Sequence, residues 1–181
     1  MSIGEGAFSL CEALPVENNI RYADTYLVKV VGNMLPTVPI KEGTKWIGDS
    51  AFSYCSSIIS LNIPDSVISI GNKAFTRCPY LRSVTIPNSV TTIGESAFQY
   101  CSSLTSIVIG NGVTSIGMQA FQYCSFLTTI TCEAATPPTL GSSNNLSNVT
   151  AVYVPAESVD AYKTATNWSY YSSIIQPIPE S

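Results

Sequence analysis

The chain contains nearly the same nine residues twice: "IGESAFQYC" at Ile93–Cys101 returns as "IGMQAFQYC" at Ile116–Cys124. Ile-Gly, Ala-Phe and Cys keep their spacing in both copies, and one copy follows the other after 23 residues. Four columns keep this step over four copies: Ile47, Ile70, Ile93 and Ile116; Ala51, Ala74, Ala97 and Ala120; Phe52, Phe75, Phe98 and Phe121; Cys55, Cys78, Cys101 and Cys124. A further copy, "IGEGAFSLC", contains Phe8. A fixed period of this length indicates a repeat protein.

A second signature, Leu-x-x-Ile-x-Ile, begins three residues after each cysteine, as in Leu81, Val84 and Ile86. Its closing alternation places two side chains on one face, as a strand requires. A turn and a short Val-x-x-Ile piece then lead into the next Ile-Gly. Because a unit of this size cannot bury its apolar face alone, we expect stacked coils with parallel strands about 4.8 Å apart. Ile would fill the core, Gly would permit a tight turn, and each Phe would stack on the next.

The period is interrupted once near the N-terminus. Between Cys11 and Ile47 lie 35 residues, more than elsewhere, although Leu35, Val38 and Ile40 still align with Leu81, Val84 and Ile86 at two periods. The segment from about 18 to 34 predicts a β-hairpin insertion that turns near Asp24. Glu17 falls where the first strand would need an apolar residue.

The period ends after Leu127. A loop-like segment follows, and then "VTAVYVP" at Val149–Pro155 predicts a last strand and "AESVDAYKTA" at Ala156–Ala165 the one ordinary helix. We expect this segment, with Trp168, Tyr170 and Tyr171, to cover the last apolar layer of the coils. The sequence thus divides into repeats over residues 1–132 and a capping segment over 133–181.

The composition excludes several functions. Charged residues make up 11% of the chain, the net charge is −4, and no basic run occurs, so neither nucleic acid nor an anionic membrane surface is expected as a partner. The absence of histidine removes every His-dependent nucleophile triad and the commonest zinc ligand. No stretch is apolar enough to span a membrane, and no signal peptide is visible. Since the chain begins inside a repeat, we expect a fragment or processed form whose first coil frays or pairs with another molecule.

The six cysteines and the few acids favour structural roles. Five cysteines recur at one repeat position, which predicts a column of free, buried thiols whose side chains point in parallel. No C-x-x-C occurs, so we expect neither a metal nor a cofactor. From Ile47 to Cys124 the only acids are Asp49, Asp65 and Glu95, which fit solvated turns and caps better than a catalytic pair.

Two exposed surfaces remain as candidates for binding. The outward strand positions form hydroxyl-rich columns such as Ser60, Ser83, Ser106 and Thr129, which lack aromatic and arginine side chains and could be an inert spacer. The second candidate lies two residues after each Phe and consists of Tyr54, Arg77, Tyr100 and Tyr123. Tyr and Arg anchor many interfaces and stack on sugars. The alternative is that these rings only cover the convex edge, with their hydroxyls in water.

The unit "CSSLTSIVIGNGVTSIGMQAF" at Cys101–Phe121 resembles the repeat of BspA-like leucine-rich repeat proteins, a bacterial surface family. "YADTYLVKVVGNMLPTVPIKEGTKWIGDSAF" at Tyr22–Phe52 is similar to a variant unit of that family, and "YVPAESVDAYKTATNW" at Tyr153–Trp168 to its C-terminal cap. The resemblance covers nearly the whole chain. It implies a secreted or surface-displayed protein associated with adhesion to host proteins or other cells, with no catalytic activity. It supplies no functional residues, since the motif residues are structural.

The expected fold is therefore an α/β-type, mostly β solenoid: a right-handed leucine-rich-repeat superhelix of about five coils with a hairpin insertion and a C-terminal cap. The expected function is non-enzymatic binding of an extracellular protein or glycan. A structural spacer in a longer surface protein is the alternative. A carboxylate-dependent hydrolase is the least favoured hypothesis.

Overall fold

The computed structural model describes residues 12–32, 36–141, 146 and 148–180. This part of the chain winds into a mostly β, parallel solenoid of about six turns with little helix. Its described residues form two sheets, named here the main sheet and the second sheet. The predicted repeat copy with Phe8, its expected fraying, and Leu35 lie outside the described residues.

The two extended pieces of each repeat form the strands of the two sheets. In the described residues the main sheet has seven strands: β4 (Thr37–Pro39), β6 (Ser60–Asn62), β8 (Ser83–Ile86), β10 (Ser106–Ile109), β12 (Thr129–Cys132), β14 (Ala151–Val154) and β15 (Ile175–Pro177). The second sheet has eight: β1 (Val16–Glu17), β2 (Ile20–Ala23), β3 (Tyr26–Val30), β5 (Trp46–Ile47), β7 (Ser69–Ile70), β9 (Thr92–Ile93), β11 (Ser115–Ile116) and β13 (Thr139–Leu140). Equivalent residues of successive coils pair in parallel, as Ser83 with Ser106 and Ser106 with Thr129.

The core is a set of side-chain columns that run along the solenoid. The phenylalanines stack as predicted, with ring centroids 4.9 Å apart for Phe52 and Phe75, 5.1 Å for Phe75 and Phe98, and 5.8 Å for Phe98 and Phe121. In β8, Val84 and Ile86 are buried whereas Ser83 and Thr85 are exposed, as the alternation predicts. Each repeated residue type therefore occupies the same core position in every coil, and these positions line up as columns.

The glycine of each Ile-Gly pair has a different role from the one expected. The sequence suggested that it permits a tight turn, but Gly71, Gly94 and Gly117 lack the left-handed backbone that would require glycine. A Cβ atom on Gly94 would lie 2.6 Å from the backbone nitrogen of Asn72, and one on Gly117 would lie 2.5 Å from that of Glu95. Glycine is needed because adjacent coils touch backbone to backbone.

Gly94→Ala should lower the free energy of unfolding by about 3 kcal/mol, because the added methyl group forces two packed coils apart. Gly43→Ala is the control: Gly43 has a φ of +85° and nothing within 4 Å of a built Cβ. It should cost only the left-handed backbone penalty of about 1 kcal/mol. Urea unfolding of both variants measures the difference, and equal losses would contradict the close-contact explanation.

The predicted hairpin is present at the N-terminal end of the second sheet. Strands β2 and β3 pair antiparallel, and Asp24 adopts a left-handed φ of 55° in the turn between them. Strand β3 then pairs in parallel with β5, so the hairpin extends the second sheet rather than standing apart from it. Glu17 lies in β1 at the edge of this sheet, exposed and 3.2 Å from the Lys41 amine, which explains its departure from the apolar pattern.

The C-terminal segment covers the end of the core. The helix predicted at Ala156–Ala165 is present in shorter form, as a 3-10 turn at Ala156–Ser158 followed by α1 (Val159–Thr164), the only α-helix in the described residues. Trp168 is fully buried and its indole N–H donates to the Pro138 carbonyl at 2.7 Å. Tyr162, which the sequence analysis did not single out, is also fully buried and donates to the Ala134 carbonyl at 2.8 Å. These two rings meet edge to face with centroids 5.1 Å apart.

Two expectations for this segment need correction. Tyr170 does not cover the core, because it is 72% exposed, whereas Tyr171 packs partly buried against it. The coil count is about six rather than five, because β13 and β14 continue both sheets after the strict period ends. Strand β15 forms one edge of the main sheet. Pro177 in this strand disfavours pairing with a further strand, because proline has no backbone N–H to donate. The division of the chain between residues 132 and 133 stays a prediction.

The cysteine column consists of free thiols in the described residues. The thiols of Cys78, Cys101 and Cys124 each donate to a Phe carbonyl of the preceding coil, at 3.2, 3.2 and 3.1 Å. The neighbouring thiols Cys124 and Cys78, together with burial, raise the pKa of Cys101 well above its usual value. Burial, followed by the nearby Cys78, raises the pKa of Cys55 to about 12. The raised pKa values keep the Cys55 and Cys101 thiols protonated, so neither is a reactive nucleophile.

The raised thiol pKa values predict an alkaline loss of stability. In the unfolded chain a thiol ionises near pH 8.5, whereas Cys101 in the fold stays protonated to higher pH. The stabilisation is therefore complete below about pH 8.5 and falls as pH rises, by up to about 1.4 kcal/mol per pH unit for each such thiol. Urea unfolding of reduced protein between pH 8.5 and 9.5 should show a shallower slope for Cys101→Ala. Identical slopes would contradict this account.

Candidate interaction surface

The four predicted binding residues form one column in the same turn segment that carries the buried Phe residues. Tyr54, Arg77, Tyr100 and Tyr123 each lie two residues after a core Phe. All four adopt left-handed backbone, with φ of 63°, 57°, 61° and 61°. The backbone N–H groups of Tyr54, Arg77 and Tyr100 donate to carbonyls of the next coil at 2.9, 2.8 and 3.0 Å. The backbone is thus bonded along the solenoid, and the side chains turn outward.

These side chains contact one another continuously, and we name them the Tyr–Arg ladder. The Arg77 guanidinium lies between two rings, 5.5 Å from the Tyr54 centroid and 4.4 Å from the Tyr100 centroid. Tyr100 and Tyr123 stack with centroids 4.6 Å apart and an interplanar angle of 17°. Tyr54 is 69% exposed, Tyr100 36% and Tyr123 50%, and Arg77 is exposed as well. The sequence-predicted residues are therefore brought together, in contact and open to solvent.

The ladder carries one positive charge, at Arg77. Residues 66–94 contain Lys73, Arg77 and Arg82 and no acidic residue, and all three cations are exposed. Among the described residues, the one ion pair joins Lys41 to Glu17 and involves none of them. Arg77 is thus an exposed cation with no ion-pair partner in the described residues, although Asp65 and Glu95 border this stretch and the Glu95 carbonyl accepts from the Lys73 backbone N–H at 2.7 Å.

Two further aromatic side chains flank the ladder and were not predicted. Tyr80 is 59% exposed and Phe126 is 65% exposed, and each lies three residues after a ladder residue. The equivalent positions in the other two coils are Ser57 and Ser103. Because the column is not uniform, a search for repeated residues passed over it. A search for departures from the repeat would have found both.

The outward strand face, by contrast, is small and hydroxyl-rich, as predicted. Ser60, Ser83 and Thr85 are exposed, and Ser106 and Thr129 partly so. The hydroxyls of Thr37 and Ser60 lie 3.1 Å apart and bond to each other across two coils. Within β6, β8, β10 and β12 this face offers no aromatic or charged anchor; in β14, Tyr153 pairs with Thr131 and adds one half-buried aromatic ring.

The acidic side chains take up structural positions instead of converging. The Asp49 carboxylate accepts from the Asn72 backbone N–H at 2.7 Å, and the Asn72 side-chain oxygen accepts from the Glu95 N–H at 2.8 Å. Within the part of the chain that the structure describes, no three His, Cys, Asp or Glu side chains gather as a potential metal site. No helix in the same residues has the length and apolar character needed to cross a membrane.

Comparison with known proteins agrees with this architecture. A family profile described as a BspA type leucine rich repeat region matches residues 1–58 and 45–164, in six copies. Among solved structures, the T. pallidum leucine rich repeat protein TpLRR has 24% identity and a TM-score of 0.69, over 79% of this chain and 72% of that chain. A leucine rich cell surface protein from Faecalibacterium prausnitzii has 29% identity and a TM-score of 0.51, over 67% of this chain and 40% of that chain.

A further similar structure is the pneumococcal vaccine antigen PcpA, with 15% identity and a TM-score of 0.58, over 96% of this chain and 47% of that chain. The chain thus spans less than half the length of the F. prausnitzii and pneumococcal proteins. No curated protein matches it. Because the family profile covers most of the sequence and the solenoid has the matching repeat, the chain belongs to the BspA-type leucine-rich-repeat family.

Proposed function

We propose that this chain is a non-enzymatic extracellular or cell-surface module that binds a protein or glycan and thereby mediates adhesion to host or neighbouring cells. The observation that carries the proposal is the exposed Tyr–Arg ladder. Tyr and Arg are over-represented among residues that dominate binding energy, and here the fold holds four of them in line. Their side chains are ordered before binding, so less conformational entropy is lost on association.

Family and neighbours support a surface location and a binding role. The F. prausnitzii protein is described as a cell surface protein, and the pneumococcal protein as a vaccine antigen. Leucine-rich-repeat folds are generally non-enzymatic. The Asp49 carboxylate accepts a backbone N–H and Glu17 pairs with Lys41, which favours structural roles for these acids over a carboxylate-dependent hydrolase.

A structural spacer is the second candidate, and the strand face favours it. Its small hydroxyl side chains, such as Ser83 and Thr85, provide none of the aromatic or arginine anchors that partners use. In this alternative the ladder stabilises the outer edge of the coils and the chain positions another part of a longer protein.

The deciding test is binding to an immobilised panel of extracellular-matrix proteins and glycans. A triple variant, Tyr54→Asn, Tyr100→Asn and Tyr123→Asn, should weaken a saturable signal at least ~10-fold, because several anchors are lost together. Asn is chosen because it tolerates left-handed backbone better than most residues.

The matched control places longer neutral side chains on the strand face, as Thr85→Gln with Thr131→Gln, and should bind as the parent does. Circular dichroism checks that both variants keep the fold. A parent chain that binds nothing in the panel would favour the spacer. Binding lost in the control but not in the triple variant would move the site to the strand face.

A further inference from the structure

We infer that the ladder recognises a polypeptide segment carrying clustered carboxylates, with Arg77 at its centre and Tyr80 and Phe126 as flanking apolar anchors. This inference rests on the proposed function and names the chemistry of the partner. We call the six residues Tyr54, Arg77, Tyr80, Tyr100, Tyr123 and Phe126 the aromatic–arginine surface.

The ladder presents the edges of its rings rather than their faces. Arg77 occupies the space between Tyr54 and Tyr100, and Tyr100 and Tyr123 cover each other at 4.6 Å. Neutral sugars bind aromatic residues through the ring faces, and neighbouring ladder side chains occupy both faces of Tyr100 and one face each of Tyr54 and Tyr123. What remains outward is the positive edge of each ring, the tyrosine hydroxyls and the guanidinium edge. Such a strip favours a ligand rich in acceptors and negative charge.

Arg77 is prepared for a carboxylate in particular. Its guanidinium lies between two rings, 5.5 Å and 4.4 Å from their centroids, and this contact restricts where its fork of N–H donors can point before the partner arrives. Lys73 and Arg82 add positive charge in the same coil, and the acids that border this stretch, Asp65 and Glu95, form no ion pair with Arg77 in the described residues. Charge complementarity therefore selects an acidic ligand even though the whole chain is acidic.

The distribution of charge favours a polypeptide over an anionic glycan. Anionic glycans carry charge at regular intervals along their length, whereas these cations are confined to one coil of the ladder. The coils on either side present Tyr54, Tyr100 and Tyr123 instead. Tyr80 and Phe126 add two rings that are more than half exposed and lie outside the ladder. An arginine surrounded by aromatic side chains is the composition of a protein–protein interface core.

Three probes test this inference by fluorescence anisotropy: a labelled peptide Leu-Gly-Glu-Glu-Glu-Gly-Leu, the same peptide with Gln in place of Glu, and a heparin hexasaccharide. The parent chain should bind the Glu peptide at least ~10-fold more tightly than the Gln peptide. Arg77→Tyr should abolish this preference, since it restores the ring of the other ladder positions while removing the charge. Arg77→Lys should lose much of the preference for the Glu peptide, because lysine lacks the planar fork of N–H donors.

Lys29→Gln is the control, because it removes one exposed cation outside the surface and should leave the preference unchanged. Thermal unfolding shows whether Arg77→Tyr keeps its stability. Equal affinity for the two peptides, absence of binding, or a preference that survives Arg77→Tyr would each overturn the inference. Tighter binding of heparin than of the Glu peptide would overturn the polypeptide partner in favour of an anionic glycan.

Competition in the panel assay separates this inference from the proposed function. Panel binding that the Glu peptide displaces supports both. Panel binding that it does not displace leaves the adhesive function standing and overturns the carboxylate partner. Peptide preference without panel binding supports the recognition chemistry and overturns adhesion to the ligands in the panel.

Discussion

The structure depends on the contact of one coil's backbone with the next at the Ile-Gly position. A Cβ on Gly71, Gly94 or Gly117 would meet the backbone of the preceding coil at 2.5–2.7 Å, so the coils can approach only where the side chain is absent. That approach sets a step of about 4.8 Å, at which strands can exchange hydrogen bonds. All other columns have the same spacing between coils. The Phe rings stack at this spacing, and the thiols and threonine hydroxyls donate to carbonyls of the preceding coil.

The same step places a strained backbone on the outer side of each coil. Two residues per coil are left-handed there, one of them in the column of Ser50, Lys73, Ser96 and Gln119 and the other in the Tyr–Arg ladder. Each costs about 1–2 kcal/mol for a residue with a side chain. Their N–H groups donate to the next coil, as Lys73 does to the Glu95 carbonyl at 2.7 Å, and these bonds maintain the geometry. The outward display of the ladder is thus a consequence of how coils are joined.

Much of the fold could be predicted because identical residues recur at one period. The Phe stack, the parallel strands, the thiol column and the helix at Ala156–Ala165 all follow from residue type and spacing. What could not be predicted depends on contacts between coils. The reason for glycine, the left-handed backbone at Tyr100 and the burial of Tyr162 under the cap need the distance from one coil to its neighbour, which no single repeat contains.

The candidate site lies at positions where the repeat is interrupted, so the repeat does not explain it. Columns that never vary are explained by packing, so they say little about a partner. Arg77 interrupts a column of tyrosines, and Tyr80 and Phe126 interrupt a column of serines; all three are exposed, and folding requires none of these exceptions because the neighbouring coils fold without them. In a solenoid whose repeated residues are committed to joining coils, selection for binding can act on the exposed positions where the repeat is broken. These exceptions lie in the ladder or three residues after one of its members, and that placement is what connects this fold to recognition.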